Sequence, residues 1–285
     1  MRKYIVFVIF IALSLLIFPQ TKVDSIKLLV RLDDIGLSKE VNKAASMILD
    51  TGLPLSVSVL WPAPYWLDAV HMLENYPNAV IGVHSDINCE YKNYRWGPIL
   101  GAARVPSLVD SEGYFRSDFV ANWSNLIKPD ELKSEIKAQV MKAKMSRLNI
   151  VYIDGHMAGP LYEKKDREIV ENIAKEYRLG FEPSFGTLDA SVKDDLDSEK
   201  VIDNMVNTIK NLEPGKLYLM VIHPSLDDSL MHNMIFALQK EGPGIGPYRY
   251  NLVRAFLSEK VQNLLKNMPI KLVTYKMLMD EKNVK

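Results

Sequence analysis

Four short apolar runs in this chain close on an acid or a histidine, and no other feature narrows its fold as much. Leu28-Leu29-Val30-Arg31-Leu32 leads into Asp33-Asp34, and Val80-Ile81-Gly82-Val83 into His84. Ile150-Val151-Tyr152-Ile153 leads into Asp154-Gly155-His156, and Leu219-Met220-Val221-Ile222 into His223. Near-continuous apolar runs of this length read as strands covered on both faces, the habit of parallel sheets. Segments with helical spacing separate them, so the pattern is α/β with mainly parallel strands. Such folds carry their chemistry at the carboxyl ends of the strands, which would bring the four polar closures to one face. Of five histidines, three stand there, whereas His71 falls in a helical segment and His232 in a helix-like apolar one.

The remaining pattern fills in the architecture. Ile26 to Leu32 is the first strand, and Ser38 caps a helix that runs to Asp50 before Gly52 stops it. Strands are expected over Pro54 to Leu60, Ala79 to Val83, Asn149 to Ile153, Gly180 to Pro183, Lys216 to Ile222 and Ile270 to Val273. Helices are expected over Tyr65 to Asn75, Pro129 to Arg147, Lys164 to Tyr177, Ser198 to Leu212 and Tyr250 to Asn267, with a short helical tail. About seven strand-helix units without an internal repeat or a composition break predict one α/β domain over residues 26–285, a TIM-like or distorted barrel. Residues 85–129 lose periodicity and are rich in Tyr, Trp, Asn, Gly and Pro, the mark of a functional loop or lid.

Charge removes some function classes. Thirty-five basic residues balance thirty-five acidic ones with no basic run, so no nucleic-acid partner is expected. Arg2-Lys3 followed by an apolar run from Tyr4 to Phe18 reads as a signal peptide over residues 1–20, or as an N-terminal anchor if it stays uncut. A helix over that run rises only about 22 Å against a hydrocarbon core of roughly 30 Å. The expectation is export to the periplasm or beyond, with no stable span after processing. Cys89 is the only cysteine, which excludes an intramolecular disulfide and makes a small buried filler its plainest role.

Two histidines and one carboxylate make a facial ligand set for a divalent metal, with zinc the first choice by ligand type and cobalt, manganese or iron also accommodated. A second carboxylate can then take a proton from metal-activated water as it attacks a carbonyl, which points to hydrolysis of an amide or ester. Downstream of His84, Glu90 to Pro98 carries Tyr91, Tyr94 and Trp96, whose flat faces suit sugar rings. Asp194-Asp195 reads as a solvated loop, Asp227-Asp228 as a helix start, and Gly242 to Pro247 as a turn-rich loop near the barrel mouth.

Asp33-Asp34-Ile35-Gly36-Leu37-Ser38, Gly82-Val83-His84, Asp154-Gly155-His156-Met157 and His223-Pro224 resemble, in order and spacing, the YdjC-like carbohydrate deacetylases, a group that includes chitooligosaccharide deacetylases. The resemblance covers most of the chain after its export segment. It implies a barrel-like α/β fold, one divalent metal on Asp34, His84 and His156 (magnesium included among the candidates), Asp33 as base, His223 as acid, and a homodimer. The expected substrate is an N-acetylated sugar or oligosaccharide, touched by Glu90, Tyr94, Trp96 and Asp154, with Trp96 as the stacking face. Ala158 stands where many members have a further histidine, and Ser85-Asp86-Ile87-Asn88 replaces a Leu/Thr-rich segment. The other functions weighed are a metal-dependent hydrolase of a different amide, ester or phosphoester, and a sugar-binding protein without turnover.

Overall fold

The computed structural model describes residues 25–117 and 126–283. The expected signal peptide or anchor over residues 1–20 lies outside them. Eight strands form one sheet: β1 (Ile26–Ile35), β2 (Ser56–Val59), β3 (Val80–Ser85), β4 (Ile150–Gly155), β5 (Gly180–Phe181), β6 (Leu188–Asp189), β7 (Leu217–Ile222) and β8 (Ile270–Val273). The path runs β5-β4-β3-β2-β1-β7-β6, with β8 also on β1. Every ladder is parallel. β1 is the hub, with β7 along one edge and, along the other, β8 beside its first half and β2 beside its second. The helices are α1 (Lys39–Leu49), α2 (Trp66–Leu73), α3 (Pro129–Met145), α4 (Lys164–Tyr177), α5 (Ser198–Lys210), α6 (Ser229–Asn233), α7 (Gly246–Leu257), α8 (Glu259–Asn267) and α9 (Tyr275–Asn283). The result is a curled, distorted α/β barrel in a single domain, as the alternation of elements predicts.

Leu28, Leu29, Val30 and Leu32 of β1 are all fully buried, because a parallel strand is covered on both faces. Ser38 caps α1 as expected, its hydroxyl accepting from the Val41 amide. Two features depart from the sequence reading. The short β6 was not expected, and the helix expected over Tyr250 to Asn267 is two helices, broken where Ser258 turns extended and caps α8 through the Val261 amide. A serine hydroxyl competes well for free helix-start amides, which the apolar spacing on either side conceals.

The site strands also run further than their apolar cores suggest. Asp33 and Asp34 lie inside β1, His84 inside β3 and Asp154 inside β4. These side chains are therefore held on ladder backbone rather than on loops. Beneath them the barrel is filled by Tyr152 and Tyr275, whose ring centroids are 4.0 Å apart. Gly82 makes room for this, since a Cβ there would lie 2.4 Å from the Tyr152 ring.

Part of the aromatic-rich stretch over 85–129 lies outside the described residues, and of the rest Asp86, Ile99 and Leu100 are fastened to α3. Gln139 donates to the Asp86 carbonyl and accepts from its amide, while Glu135 accepts from the amides of Ile99 and Leu100. Both side chains are buried, so the apparently irregular segment is tied down by polar groups that helix spacing does not reveal. Among the described residues, no helix is long and apolar enough to cross a membrane.

Candidate active site

Consecutive strand residues point to opposite faces, so Asp33 and Asp34 cannot both reach one site from a regular strand. Here the register slips: the three steps along β1 from Leu32 to Ile35 match only two along β2, from Val57 to Val59. Asp34 takes up the slack with φ of 63°, a left-handed conformation that costs a non-glycine residue of order 1–3 kcal/mol. Both carboxylates thereby turn towards His84.

Asp34, His84 and His156 each offer one ligand atom, and these atoms lie within 4.8 Å of one another. Asp34 Oδ1 lies 3.4 Å from His84 Nε2 and 3.0 Å from His156 Nδ1, is buried, and has no hydrogen-bond partner among the described residues. Each imidazole is backed on its other nitrogen by a carboxylate. His84 Nδ1 is 3.0 Å from Asp154 Oδ1, the two residues being register partners across β3 and β4, and His156 Nε2 is 2.9 Å from Glu90 Oε2. Carboxylate-backed histidines around an unsatisfied carboxylate oxygen fit a divalent metal, because the outer acid fixes each ring and leaves the facing nitrogen as donor. Asp33, His84 and Asp154 are equally close together. Their carboxylates, however, are engaged by Arg31, which donates to both oxygens of Asp33 at 2.6 and 2.7 Å and sits 2.9 Å from Asp154 Oδ2. Asp34 is therefore the better ligand.

The electrostatics follow the same division. Burial alone would raise the Asp34 pKa, but the Arg249 guanidinium and His156 override it and hold the carboxyl well below the usual range. Burial pushes the His84 imidazolium down, while Asp154 and Asp33 more than reverse this and lift it to about 9. His156 is likewise raised, burial being outweighed by Glu90 and Asp34. His223 differs: burial prevails and its pKa falls below the ordinary imidazole value. That shift makes its charged form the stronger proton donor.

A cavity of about 550 Å³ opens over this cluster, lined by Asp34, Glu90, His156 and His223 together with Met157, Phe236, Tyr248 and Arg249. The structure brings the five expected metal and catalytic residues together and redistributes the four expected substrate contacts. Glu90 reaches the cavity wall but is engaged with His156. Asp154 is fully buried behind His84, bonded by Ser58 as well, and does not line the cavity. Tyr94 turns its hydroxyl to the Leu37 carbonyl. Trp96 is the main correction: it is only 4% exposed, its indole N–H donates to Asp86 Oδ2 at 2.7 Å, and it offers no open face to a sugar. Its ring instead packs beside Tyr91, Tyr94 and His156.

The exposed aromatic face belongs to Phe236, 42% exposed, whose ring stacks on Tyr91 at 5.5 Å. Sequence spacing does not reveal it, because the contact crosses the fold and is fixed by a bridge between Tyr91 and Phe236 and by the Ala237 amide bonding the Glu90 carbonyl. Arg249 was missed for the same reason, and Arg31 was missed although the sequence carries its signal: two positions before Asp33 on a strand, it must share that residue's face. Asp194, read as part of a solvated loop, is exposed and also lines the cavity. Asp228 is a helix start, accepting from the Met231 amide, and the Gly242 to Pro247 loop does reach the cavity mouth through Ile245.

Cys89 is buried, and burial pushes its thiol up to about 12. Since only the thiolate attacks, the folded protein at pH 8 should react with an aromatic disulfide reagent at least about a hundredfold more slowly than the guanidinium-unfolded chain. Equal rates would show that the thiol is open and return it to the list of nucleophiles.

The chain matches the family model described as YdjC-like protein over residues 27–267. It is 25% identical to a carbohydrate deacetylase of Thermoanaerobacter pseudethanolicus over 226 residues, covering 75% of this chain and 87% of that one. It is also 25% identical to a carbohydrate deacetylase of Brevibacillus brevis over 235 residues, covering 75% and 88%. A crystal structure from Enterococcus faecalis V583, named as a candidate cellobiose-phosphate cleavage protein, shares the fold with a TM-score of 0.72 at 21% identity, over 89% of this chain and 99% of that one. With a buried Asp-His-His cluster at the mouth of the barrel and a family match across nearly all of its described residues, the chain belongs to the YdjC-like family.

Proposed function

We propose that this protein is a divalent-metal-dependent hydrolase that removes acetyl groups from N-acetylated sugars or oligosaccharides. The observation that carries the reading is the unsatisfied Asp34 Oδ1 between two carboxylate-backed histidines, at the floor of an open cavity shared with His223. The relatives named carbohydrate deacetylases support the substrate class. Asp34, His84 and His156 would hold a divalent ion, which would polarise an acyl oxygen and ease deprotonation of water, zinc being the first choice for two imidazoles and a carboxylate.

The chain's own groups do the rest. Asp33, its two oxygens clamped by Arg31, accepts a proton from the attacking water, and its Oδ2 stands 3.8 Å from His84 Nε2. Water oxygen bonds to the acetyl carbon, the carbon–nitrogen bond breaks, and His223 delivers the proton that lets the nitrogen leave as an amine. Acetate and a free amino sugar are the products. Phe236 is the sugar platform, since an aromatic face at the cavity wall buries the apolar side of a pyranose. Phe236→Ala should raise KM about five- to tenfold with kcat changed less than about twofold, a loss of about 1 kcal/mol of binding; an unchanged KM would remove Phe236 from the binding surface.

The cavity's arginine is bound to Asp34, while Glu90, Asp194 and Glu241 add negative charge, so neutral or amino-bearing sugars suit it better than phosphorylated ones. The apolar run behind Arg2-Lys3 supports export, which places the substrate outside the cytoplasm. The test is acetate release from N-acetylated mono- and oligosaccharides by metal-free protein with single metals added back. Release that needs both metal and Asp34 is expected, and metal uptake without release from any substrate would overturn the assignment.

A further inference from the structure

We propose that Arg249 is a positioning residue that leaves Asp34 one free oxygen and thereby keeps a divalent ion at this site electron-poor. The inference rests on the metal-site reading above. Arg249 Nη2 lies 2.6 Å from Asp34 Oδ2 and 2.9 Å from the Tyr91 hydroxyl, and all three residues are buried. Asp34 Oδ1 is thus the oxygen that remains for a ligand.

The arrangement is built into the fold rather than incidental to it. Arg249 sits in the first turn of α7, and the chain entering that helix packs so closely on the segment after β7 that Gly244 and Gly246 have no room for a side chain. A Cβ on Gly244 would lie 2.5 Å from the Met234 carbonyl oxygen, and one on Gly246 the same distance from Asp227 Oδ1. This packing brings a residue 215 positions away onto the site carboxylate.

The consequence is electrostatic. A free carboxylate offers a cation two oxygens and a full negative charge, whereas one that shares an oxygen with a guanidinium offers less of both. A fixed positive charge on the same carboxylate also repels a divalent ion, increasingly so in a buried site. Arg249 therefore weakens metal binding and strengthens the pull that a bound ion exerts on substrate oxygen. A residue that only supported the fold would do neither, and its loss would loosen the metal and slow the reaction together.

Zinc titration of metal-free wild type, R249Q and R249K by calorimetry separates these cases. R249Q keeps a hydrogen bond to Asp34 without the charge, and should bind zinc at least about tenfold more tightly while releasing acetate at least about tenfold more slowly. R249K keeps the charge and should bind zinc within about threefold of wild type. Binding by R249Q no tighter than by R249K would overturn the proposal. A second measurement needs no variant: infrared difference spectra of aspartate-labelled wild type, zinc-loaded minus metal-free, should show the wide carboxylate band separation of one-oxygen binding. A narrow separation would overturn it even if R249Q does not fold. Failure of the underlying site looks different, because wild type would then take up no zinc, or D34N would take it up as wild type does.

Discussion

Asp33→Asn should lower acetate release by about 10²- to 10⁴-fold, the range for loss of a general base, while zinc uptake stays at wild-type stoichiometry. The separation of these effects follows from the division of labour between neighbouring aspartates. Asp34 presents an unsatisfied oxygen to two imidazoles, whereas Asp33 has both oxygens on Arg31. The asparagine keeps shape and one Arg31 contact, and Arg31 retains Asp154 as counter-charge, so the fold should survive. Near-wild-type turnover in a zinc-loaded D33N protein would show that the proton goes elsewhere.

Trp96→Ala should destabilise the protein by about 3–5 kcal/mol, the usual cost of truncating a buried aromatic. For a domain of this size that is a fall in Tm of roughly 10 °C. The loss has two parts: the indole fills space against Tyr91, Tyr94 and His156, and its N–H serves Asp86, which would be left buried without that donor. Burial already raises the Asp86 pKa to about 6, and loss of the donor removes one of the contacts that hold it down. Thermal melting of the variant measures the effect. A folded Trp96→Ala protein with unchanged Tm and a sharply raised KM would restore Trp96 to the substrate surface.

The placement of these two residues shows how far apolar spacing reaches and where it stops. The clustering of Asp33, Asp34, His84, His156 and His223 was legible because each follows an apolar run, and parallel strands deliver such closures to one edge. The β1 slip that turns Asp34 inward was not legible, since left-handed backbone at an aspartate leaves no mark in apolar spacing. Trp96 misled because composition reports that a loop is aromatic and not which way its rings face; the buried partner Asp86 decides that. Phe236 and Arg249 reach the cavity from sites 146 and 215 positions beyond Glu90 and Asp34, respectively, through contacts that only the folded chain defines. The helix break at Ser258 shows the same limit locally, because a cap can stop a helix inside a continuing apolar stripe.

If Asp34, His84 and His156 hold the metal on which sugar deacetylation depends, removing either the metal or Asp34 must abolish it. Acetate release by metal-free protein, with zinc, cobalt, manganese, iron or magnesium restored singly and an Asp34→Ala control alongside, tests it most directly. Release from at least one N-acetylated sugar is expected only when metal is restored, with none from Asp34→Ala. Equal release with and without metal, or undiminished release by Asp34→Ala, would contradict it.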